Sequence, residues 1–350
     1  MMHLWQGTDD WEAAQEELAA AGVTDGLPVV PPTPARVARM LELHGYDADE
    51  VVAALPPLCG GASWRDIAIN AVMAGCRPEY LPVIGAAVEA LAAAEFNLVG
   101  IATTTGSAAP LIIVNGPIAK QIGMNAGGNA LGPGNRANAT IGRAVSLILR
   151  NIGGALPGEL DMATLGQPAK YTFCFAENEA ASPWPALHVE RGFAENENVV
   201  TVVGAAGIVE IVDSASHRAE DLAQTYAQSM LIAGNIGGDG HFGGGEPLLI
   251  VPPEHAATFM RGGYAKEKVK AAIYERAVLP LERLSPAVQA QLLTRGITGD
   301  VLRVAQQAND VMIVVAGGVG VKAAYVPTWG GITHAVSRKI RNPSARAQAR

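Results

Sequence analysis

The fold is decided by one stretch near the middle of the chain, LIIVNGPIAKQIGMNAGGNALGPGNRANATIGRAVSLILRN (residues 111–151). It opens with a branched apolar run over 111–114 that is bounded by Asn-Gly-Pro, a pattern typical of a buried strand. A glycine- and asparagine-rich loop follows over 122–138, and apolar residues three or four apart then predict a helix over 138–151. A strand, a glycine loop and a helix in this order indicate an α/β protein.

The same alternation continues on both sides of this stretch. It predicts an α/β fold with a mixed or mostly parallel sheet and flanking helices, in two α/β parts that meet between 153 and 170. We place these parts at 1–155 and 156–341, with a tail at 342–350. The predicted strands cover 97–103, 171–175, 199–203, 207–212, 247–251 and 311–316, and the predicted helices cover 9–22, 34–44, 64–74, 78–94, 217–233, 253–261, 266–277 and 286–295.

Composition and charge exclude several classes of protein. The chain has 350 residues, 49% of them hydrophobic, and a formal net charge of -8, so disorder is excluded and nucleic acid is a poor partner. No apolar run approaches the roughly 20 residues of a membrane span, and the N-terminus lacks the pattern of a signal peptide. The three cysteines show no CxxC spacing. We expect a cytoplasmic homo-oligomer that contacts neither nucleic acid nor membrane.

Glycine is the compositional excess, with 40 residues, and much of it is clustered. Four clusters lie at 60–61, 123–134, 234–245 and 317–320, and several of them adjoin a predicted strand. Glycines after a buried strand mark the ligand edge of an open sheet, and the last cluster is followed by Lys322. We therefore expect these loops to meet at one pocket.

The loop over 122–138 is the strongest candidate for ligand binding. Its glycines let backbone N–H groups converge just before a helix begins, which favours a phosphate or carboxylate. It matches neither GxGxxG nor GxxxxGK[ST], so it carries no nucleotide fingerprint, and a self-contained capped loop is the alternative. The side chains expected to hold a small anion are Asn115, Asn125, Asn129, Arg136, Asn138 and Arg143.

Cys76 is the candidate nucleophile. The segment Cys76-Arg77-Pro78 places the thiol and a guanidinium just ahead of a predicted helix, where the helix dipole favours an anion. We expect a lowered pKa for the Cys76 thiol and a substrate contact from Arg77. The alternative is a small buried side chain at a tight turn between two helices. Cys59 lies in a predicted turn. Cys174 lies in the predicted strand over 171–175, at a position that the alternating pattern assigns to the core.

A strand that ends in a carboxylate supplies the candidate acid and base. Glu177 and His188 are suited to proton transfer. Lys170 and Trp184, in the same region, are expected to form the wall of the substrate pocket. Residues such as Glu177 and His188 are more often ordinary surface or capping residues, which is the alternative interpretation.

A third group of residues offers a metal site as an alternative. Asp239, His241 and His255 have ligand chemistry but no fixed spacing of the HExxH kind, and a lid over the site is an equal interpretation of 234–245. The pattern therefore assigns no metal ligand and identifies no cofactor.

Several motifs resemble those of a poorly characterised bacterial α/β family of about this length, over nearly the whole chain. They are TDGLPVVPPT (24–33), AINAVMAGCRPEY (68–80), GPGNRANATIGRA (132–144), KYTFCFAENE (170–179) and PPEHA (252–256). The resemblance implies an association with small thiol- or selenol-type proteins related to the selenoprotein subunit of glycine reductase. It implies a partner subunit of that kind and assigns no catalytic residue.

Three functions follow from these patterns. The first is an enzyme that acts on a small anionic organic molecule with a Cys76 thiolate, as a lyase or in the reductive cleavage of a carbon-heteroatom bond. The second is a metal-assisted hydrolase or hydratase. The third is a non-catalytic subunit of a heteromeric thiol or selenol enzyme.

Overall fold

The computed structural model describes residues 4, 5, 7, 10–232, 242, 244–330 and 332–341. Its helices are α1 (Trp11–Ala20), α2 (Pro34–Glu42), α3 (Trp64–Ala74), α4 (Leu81–Leu91), α5 (Leu98–Thr103), α6 (Pro117–Gln121), α7 (Arg136–Asn151), α8 (Leu187–Glu190), α9 (Ala219–Ser229), α10 (Pro253–Arg261), α11 (Lys266–Arg276) and α12 (Pro286–Thr294). Its strands are β1 (Val51–Leu55), β2 (Gly60–Ser63), β3 (Ala109–Asn115), β4 (Cys174–Ala176), β5 (Val199–Ala205), β6 (Val209–Val212), β7 (Leu248–Val251), β8 (Val278–Pro280), β9 (Val301–Arg303), β10 (Met312–Val315), β11 (Lys322–Val326) and β12 (Val336–Lys339).

Local capping explains where several helices begin. The Thr33 side chain accepts a hydrogen bond from the Arg36 N–H, and Pro34 occupies the first position of α2, as the sequence predicts. Ser63 and Asp66 form a capping box at the start of α3. Asn135 caps α7, which therefore begins two residues before the predicted start.

Two four-stranded mixed sheets form the centre of the molecule, which confirms the predicted α/β class. The first sheet has the order β12-β5-β3-β4 and the second sheet β10-β7-β11-β6. Each sheet contains one parallel pair, β3 with β4 and β7 with β10, and its other pairs are antiparallel. Two small hairpin-like pairs, β1 with β2 and β8 with β9, lie outside these sheets.

The two sheets stack face to face, because alternate strand residues join different cores. Leu111 and Ile113 of the first sheet share one cluster with Leu248 and Ile250 of the second. The opposite faces of the two sheets are covered by helices: α3, α4 and α7 pack on the first sheet, and α9, α10 and α11 on the second. The molecule is therefore a four-layer sandwich in the order helices, first sheet, second sheet, helices.

Helix α4 is buried on nearly all sides within the first helical layer. Among the described residues, no single helix has the length and apolar composition to cross a membrane. One pair that is bent by 74°, Pro78–Leu91 with Ala94–Thr103, meets both criteria when its members are taken together.

Two features of the fold differ from the predictions. The predicted strand over 97–103 is wrong, because this segment is α5, capped by the Asn97 side chain, which accepts a hydrogen bond from the Gly100 N–H. The first sheet takes β3 from the predicted N-terminal part and its other strands from the C-terminal part. The predicted boundary near Ala155 therefore runs through one shared sheet.

Candidate functional site

The carboxyl ends of both parallel strand pairs lie at the same edge of the sandwich. Glu177 and Asn178 directly follow β4, and the Asn178 N–H donates to the carbonyl of Val315, the last residue of β10, at 2.7 Å. The Glu177 carboxylate lies 3.5 Å from the Val315 nitrogen. Open α/β sheets bind ligands at the carboxyl ends of their parallel strands, so this edge is the candidate location of a ligand site.

Two glycine-rich loops that are distant in sequence meet at this edge. The Gly317 N–H donates to the Ala126 carbonyl at 2.9 Å. A β-carbon built on Gly318 would lie 2.8 Å from Cα and 3.0 Å from N of Gly128, closer than side chains tolerate. The expectation that glycine clusters meet is therefore correct for the clusters at 123–134 and 317–320, and glycine is required there for the close approach of two backbones.

The other two glycine clusters do not add to this meeting point. Gly60 lies in β2, against the backbone of Ile152 at the end of α7, so the expectation of one pocket for all clusters is wrong for 60–61. Of the cluster at 234–245, residues 234–241 and 243 lie outside the described residues. Gly244 packs against the backbone of Thr328, and Gly245 forms a bridge with Ala305.

The two loops enclose an open cleft of about 640 Å³, which we call the glycine cleft. Its volume is in the range of small-molecule sites, about 300–1,000 Å³. Lys322 and Glu210 are its charged lining residues, and they lie on the neighbouring strands β11 and β6. The glycine cleft is lined by Gly128, Asn129, Ala130, Leu131, Gly132, Ile208, Glu210, Ile250, Pro252, Ala316, Gly317, Gly318, Val319, Gly320, Lys322, Ala323 and Ala324.

Backbone N–H groups supply further donors along this cleft. Among the described residues, the N–H groups of Gly128, Asn129, Gly318 and Val319 have no hydrogen-bond acceptor, whereas that of Gly320 is held by the Glu254 carboxylate at 3.0 Å. Consecutive unpaired N–H groups in glycine loops form concave anion sites. Together with Lys322, they make an anion the best match for this cleft.

The asparagines expected to bind an anion hold the loop itself instead. Asn138 is buried: its Oδ1 accepts from the Asn125 N–H at 3.0 Å, and its Nδ2 donates to the carbonyls of Asn125 (2.8 Å) and Ala130 (3.0 Å). Asn125 Nδ2 donates to the Gly128 carbonyl at 2.9 Å. Asn129 lines the cleft, but its Nδ2 donates to the Pro133 carbonyl at 2.7 Å. The anion-binding role of these three amide side chains is therefore not supported.

The arginines expected to clamp an anion also bind groups of the protein. Arg143 makes a bidentate pair with Asp25, at 2.7 and 2.8 Å, and donates to two carbonyls of the link before α2. Arg136 donates from Nε and Nη2 to the Gly75 carbonyl at 2.9 and 2.8 Å. Arg77 is exposed, and none of the three lines the glycine cleft. The structure therefore does not support an anion contact of these arginines in the glycine cleft, because Arg136 and Arg143 are engaged by Gly75 and Asp25.

Two further predicted wall residues lie away from the glycine cleft. Lys170 pairs with Asp161 at 2.5 and 2.6 Å, on a different cleft. Trp184 is buried in the core of the second helical layer, tilted against Phe259, with its indole N–H directed at the Tyr264 carbonyl at 3.3 Å. Trp184 is thus a core residue.

The expected lowered pKa of Cys76 is wrong. The thiol is buried and donates to the Thr140 carbonyl at 3.2 Å. Burial raises the pKa of Cys76 to about 12, and neither the Thr140 hydrogen bond nor the charges of Arg136 and Arg143 offset it. The segment Pro78–Tyr80 is a 3₁₀ turn that continues directly into α4, so a helix does begin just after Cys76 and Arg77, but burial is the largest influence on the pKa of the thiol. The raised pKa disfavours the thiolate at neutral pH.

Glu177, Asn115 and His188 are neighbours below the same edge. Glu177 Oε2 accepts from Asn115 Nδ2 at 2.7 Å and from the Leu187 N–H at 2.8 Å. Burial raises the pKa of Glu177, against the lowering effect of the Lys266 charge. Asn115 Oδ1 and His188 Nδ1 are buried with no hydrogen-bond partner among the described residues. Glu177 thus contacts the backbone of the residue before His188, whereas the His188 ring faces the Glu195 carbonyl at 3.4 Å, and neither predicted residue lines the glycine cleft.

The alternative metal set finds no support in the part of the chain that the structure describes. No group of three His, Cys, Asp or Glu side chains there has metal-binding geometry. Both ring nitrogens of His255 are engaged, Nδ1 with the Tyr226 hydroxyl at 2.9 Å and Nε2 with the Asp213 carbonyl at 3.0 Å. Asp239 and His241 lie outside the described residues.

Part of the cleft is not predicted by the sequence. The sequence indicates Ile208 and Glu210 only as strand residues and does not predict β11. The antiparallel register of β11 with β6, which pairs Ala324 with Glu210, brings them to the cleft beside Lys322. Both strands adjoin glycine-rich turns, and this is the sequence feature that could have indicated them. Their pairing joins residues 110 positions apart, such as Lys322 and Val212, and a local sequence pattern does not show it.

Comparison with known proteins adds no assignment. A scan against protein-family profiles and a search of curated proteins returned no match to this chain. The family resemblance and the partner subunit that it implies therefore stay predictions.

Proposed function

We propose that this protein binds a small anionic organic molecule in the glycine cleft and acts on it there. The observation that carries the proposal is the convergence of two glycine loops, at the carboxyl ends of β7 and β10, around N–H groups that have no acceptor among the described residues. Lys322 supplies a positive charge, and Ile208 and Ile250 supply apolar surface for a short carbon skeleton.

The cysteine-dependent lyase or reductase chemistry expected from the sequence is not part of this proposal. The buried Cys76 thiol does not line the cleft, and its raised pKa disfavours the thiolate. Glu210 lines the cleft, and Glu254 holds the Gly320 N–H at its rim. The predicted acid-base residue Glu177 lies below the cleft, 3.5 Å from the Val315 nitrogen, and proton transfer by Glu177 stays a prediction.

The binding step is tested by calorimetric titration of the purified protein with 2-phosphoglycolate and malate, with glycerol as the neutral control. We expect the anions to bind and glycerol not to bind. Lys322→Gln should weaken anion binding about 2- to 5-fold, the effect of one solvent-exposed charge pair. Equal affinity for glycerol and the anions would contradict the proposal.

A pair of glycine variants tests the loop contact. Gly318→Ala places a β-carbon 2.8 Å from Gly128 Cα, so the loops must separate and anion binding should fall at least about 10-fold. Gly127→Ala, in the opposing loop next to Gly128, meets only the Asn125 side chain at 3.7 Å and is the matched control. If both variants bind as the unaltered protein does, the loop junction is not part of the site.

A second candidate function is contact with a small partner protein at the rim of the same cleft. Val319 is 100% exposed, Ile208 48% and Leu131 40%, and all three line the cleft. Neighbouring exposed aliphatic side chains favour a protein contact. Co-expression with a small thiol- or selenol-type protein tests this function, because Val319→Ser, which removes the exposed aliphatic side chain and keeps the backbone N–H, should abolish co-elution. No co-elution with the unaltered chain would remove this candidate.

A further inference from the structure

A second cleft lies at the opposite end of β3 from the glycine cleft. It has a volume of about 620 Å³, and most of its lining is apolar. We call it the α7 cleft, because the last turns of α7 form one wall through Ser146, Leu149 and Arg150. The start of β3, at Ala109 and Pro110, forms another wall.

Two ion pairs neutralise most of the charge around this cleft. Lys170 and Asp161 pair with each other at 2.5 and 2.6 Å. Asp25 is engaged by the bidentate guanidinium of Arg143 at 2.7 and 2.8 Å. The charges of these four residues cancel, so none of them adds a net charge to a ligand site.

Arg150 is the remaining charged side chain on the wall, and it has no carboxylate partner among the described residues. Its Nη2 donates to the Gly22 carbonyl at 3.2 Å, a long hydrogen bond. Its Nε is closed off from solvent, so the donors left for a ligand are Nη1, which has no acceptor among the described residues, and the second proton of Nη2. A guanidinium with a spare donor favours an ionised acceptor that forms two parallel hydrogen bonds, such as a carboxylate.

We propose that the α7 cleft binds an amphipathic monocarboxylate, with its carboxylate on Arg150 and its apolar body along the cleft. Ile101, Pro110 and Leu149 line the path that the apolar body takes. Leu165 lies at the rim and is 93% exposed, so a bound chain would cover it. This site is independent of the glycine cleft.

Calorimetric titration with sodium octanoate, below its micelle concentration, tests the proposal on the intact chain. We expect octanoate to bind, and octan-1-ol and octylamine to bind at least about 10-fold more weakly, since a hydrogen bond to a charged group contributes that much or more. Arg150→Gln should weaken octanoate binding about 10- to 100-fold. Arg150→Lys keeps the charge but loses the planar guanidinium, so its affinity for octanoate should lie between those of the unaltered chain and Arg150→Gln.

Two control variants separate this site from other sources of affinity. Lys120→Gln removes one exposed charge on α6, and Lys322→Gln removes the cation of the glycine cleft; both should bind octanoate as the unaltered chain does. Weakened binding in Lys322→Gln would place octanoate in the glycine cleft and overturn the proposal. Absence of octanoate binding, equal binding of octanol, or unchanged binding in Arg150→Gln and Arg150→Lys would also overturn it.

Discussion

Replacing Asn138 by alanine should loosen the glycine-rich loop over 122–135 while the sandwich stays folded. The Asn138 amide makes three hydrogen bonds, two with the backbone of Asn125 and one with the Ala130 carbonyl, and it is buried. Alanine leaves those backbone groups without a partner. At about 1 kcal/mol for each bond, we expect the free energy of unfolding to fall by about 2–4 kcal/mol. Asn138→Asp should lower the free energy of unfolding further, because a carboxylate oxygen would then face the carbonyl oxygens of Asn125 and Ala130.

The measurement combines urea unfolding with hydrogen exchange of the loop amides. In Asn138→Ala the amides of 125–132 should exchange faster, and binding to the glycine cleft should weaken with them. Asn151→Ala is the matched control at the other end of α7, since its Nδ2 donates to Val23 and Asn70 at 2.9 and 2.8 Å. It should lower stability without altering loop exchange. Equal loop protection in the two variants would refute the role assigned to Asn138.

Three further predictions follow from the buried groups. Burial raises the pKa of Glu177, so the stability that its protonated form contributes is complete below pH 4.5 and is lost as pH rises through the raised value. In urea unfolding, Glu177→Gln should therefore gain stability relative to the unaltered protein as pH rises from 4.5 toward that raised value. A thiol reagent such as DTNB at pH 8 should label one of three thiols, exposed Cys59, and none in Cys59→Ser, because Cys76 and Cys174 are buried. Burial raises the pKa of Asp25, but the Arg143 hydrogen bonds outweigh it and lower the pKa below 3.8. Arg143→Ala should therefore cost about 2–4 kcal/mol at pH 7, by urea unfolding, and less as pH falls through that lowered value.

Elements with their own start signals could be predicted from the sequence. Thr33 with Pro34 marks the start of α2, and α10 runs over 253–261 as predicted. The segment 97–103 was misassigned because its branched residues fit a short strand as well as a buried helix, and the deciding feature is the left-handed Asn97 cap. The stacking of the two sheets depends on which strand faces meet, and strands that are apolar on both faces carry no signal of that.

The site could be predicted in its backbone but not in its side chains. The glycine step after β10 indicated a ligand edge, and it does meet the loop at 123–134. The amides of that loop were assigned to a ligand because a carboxamide donates equally well to an anion or to a carbonyl. In Asn125 and Asn138 the carbonyls of the loop itself are near enough to take those hydrogen bonds, so the amides preorganise the loop, and the unpaired backbone donors are left for the ligand.

Cys76 shows why a position before a helix does not suffice to make a thiol reactive. Two arginines lie near it, but Arg136 binds the Gly75 carbonyl and Arg143 binds Asp25, so neither guanidinium is directed at the sulfur. Burial removes solvent from around the thiol, and this desolvation raises the pKa of Cys76 by more than the charges of the two arginines lower it. We therefore expect a thiol-dependent reaction at this protein to use the exposed Cys59 or a thiol that a partner supplies, and Cys59→Ser distinguishes these two sources.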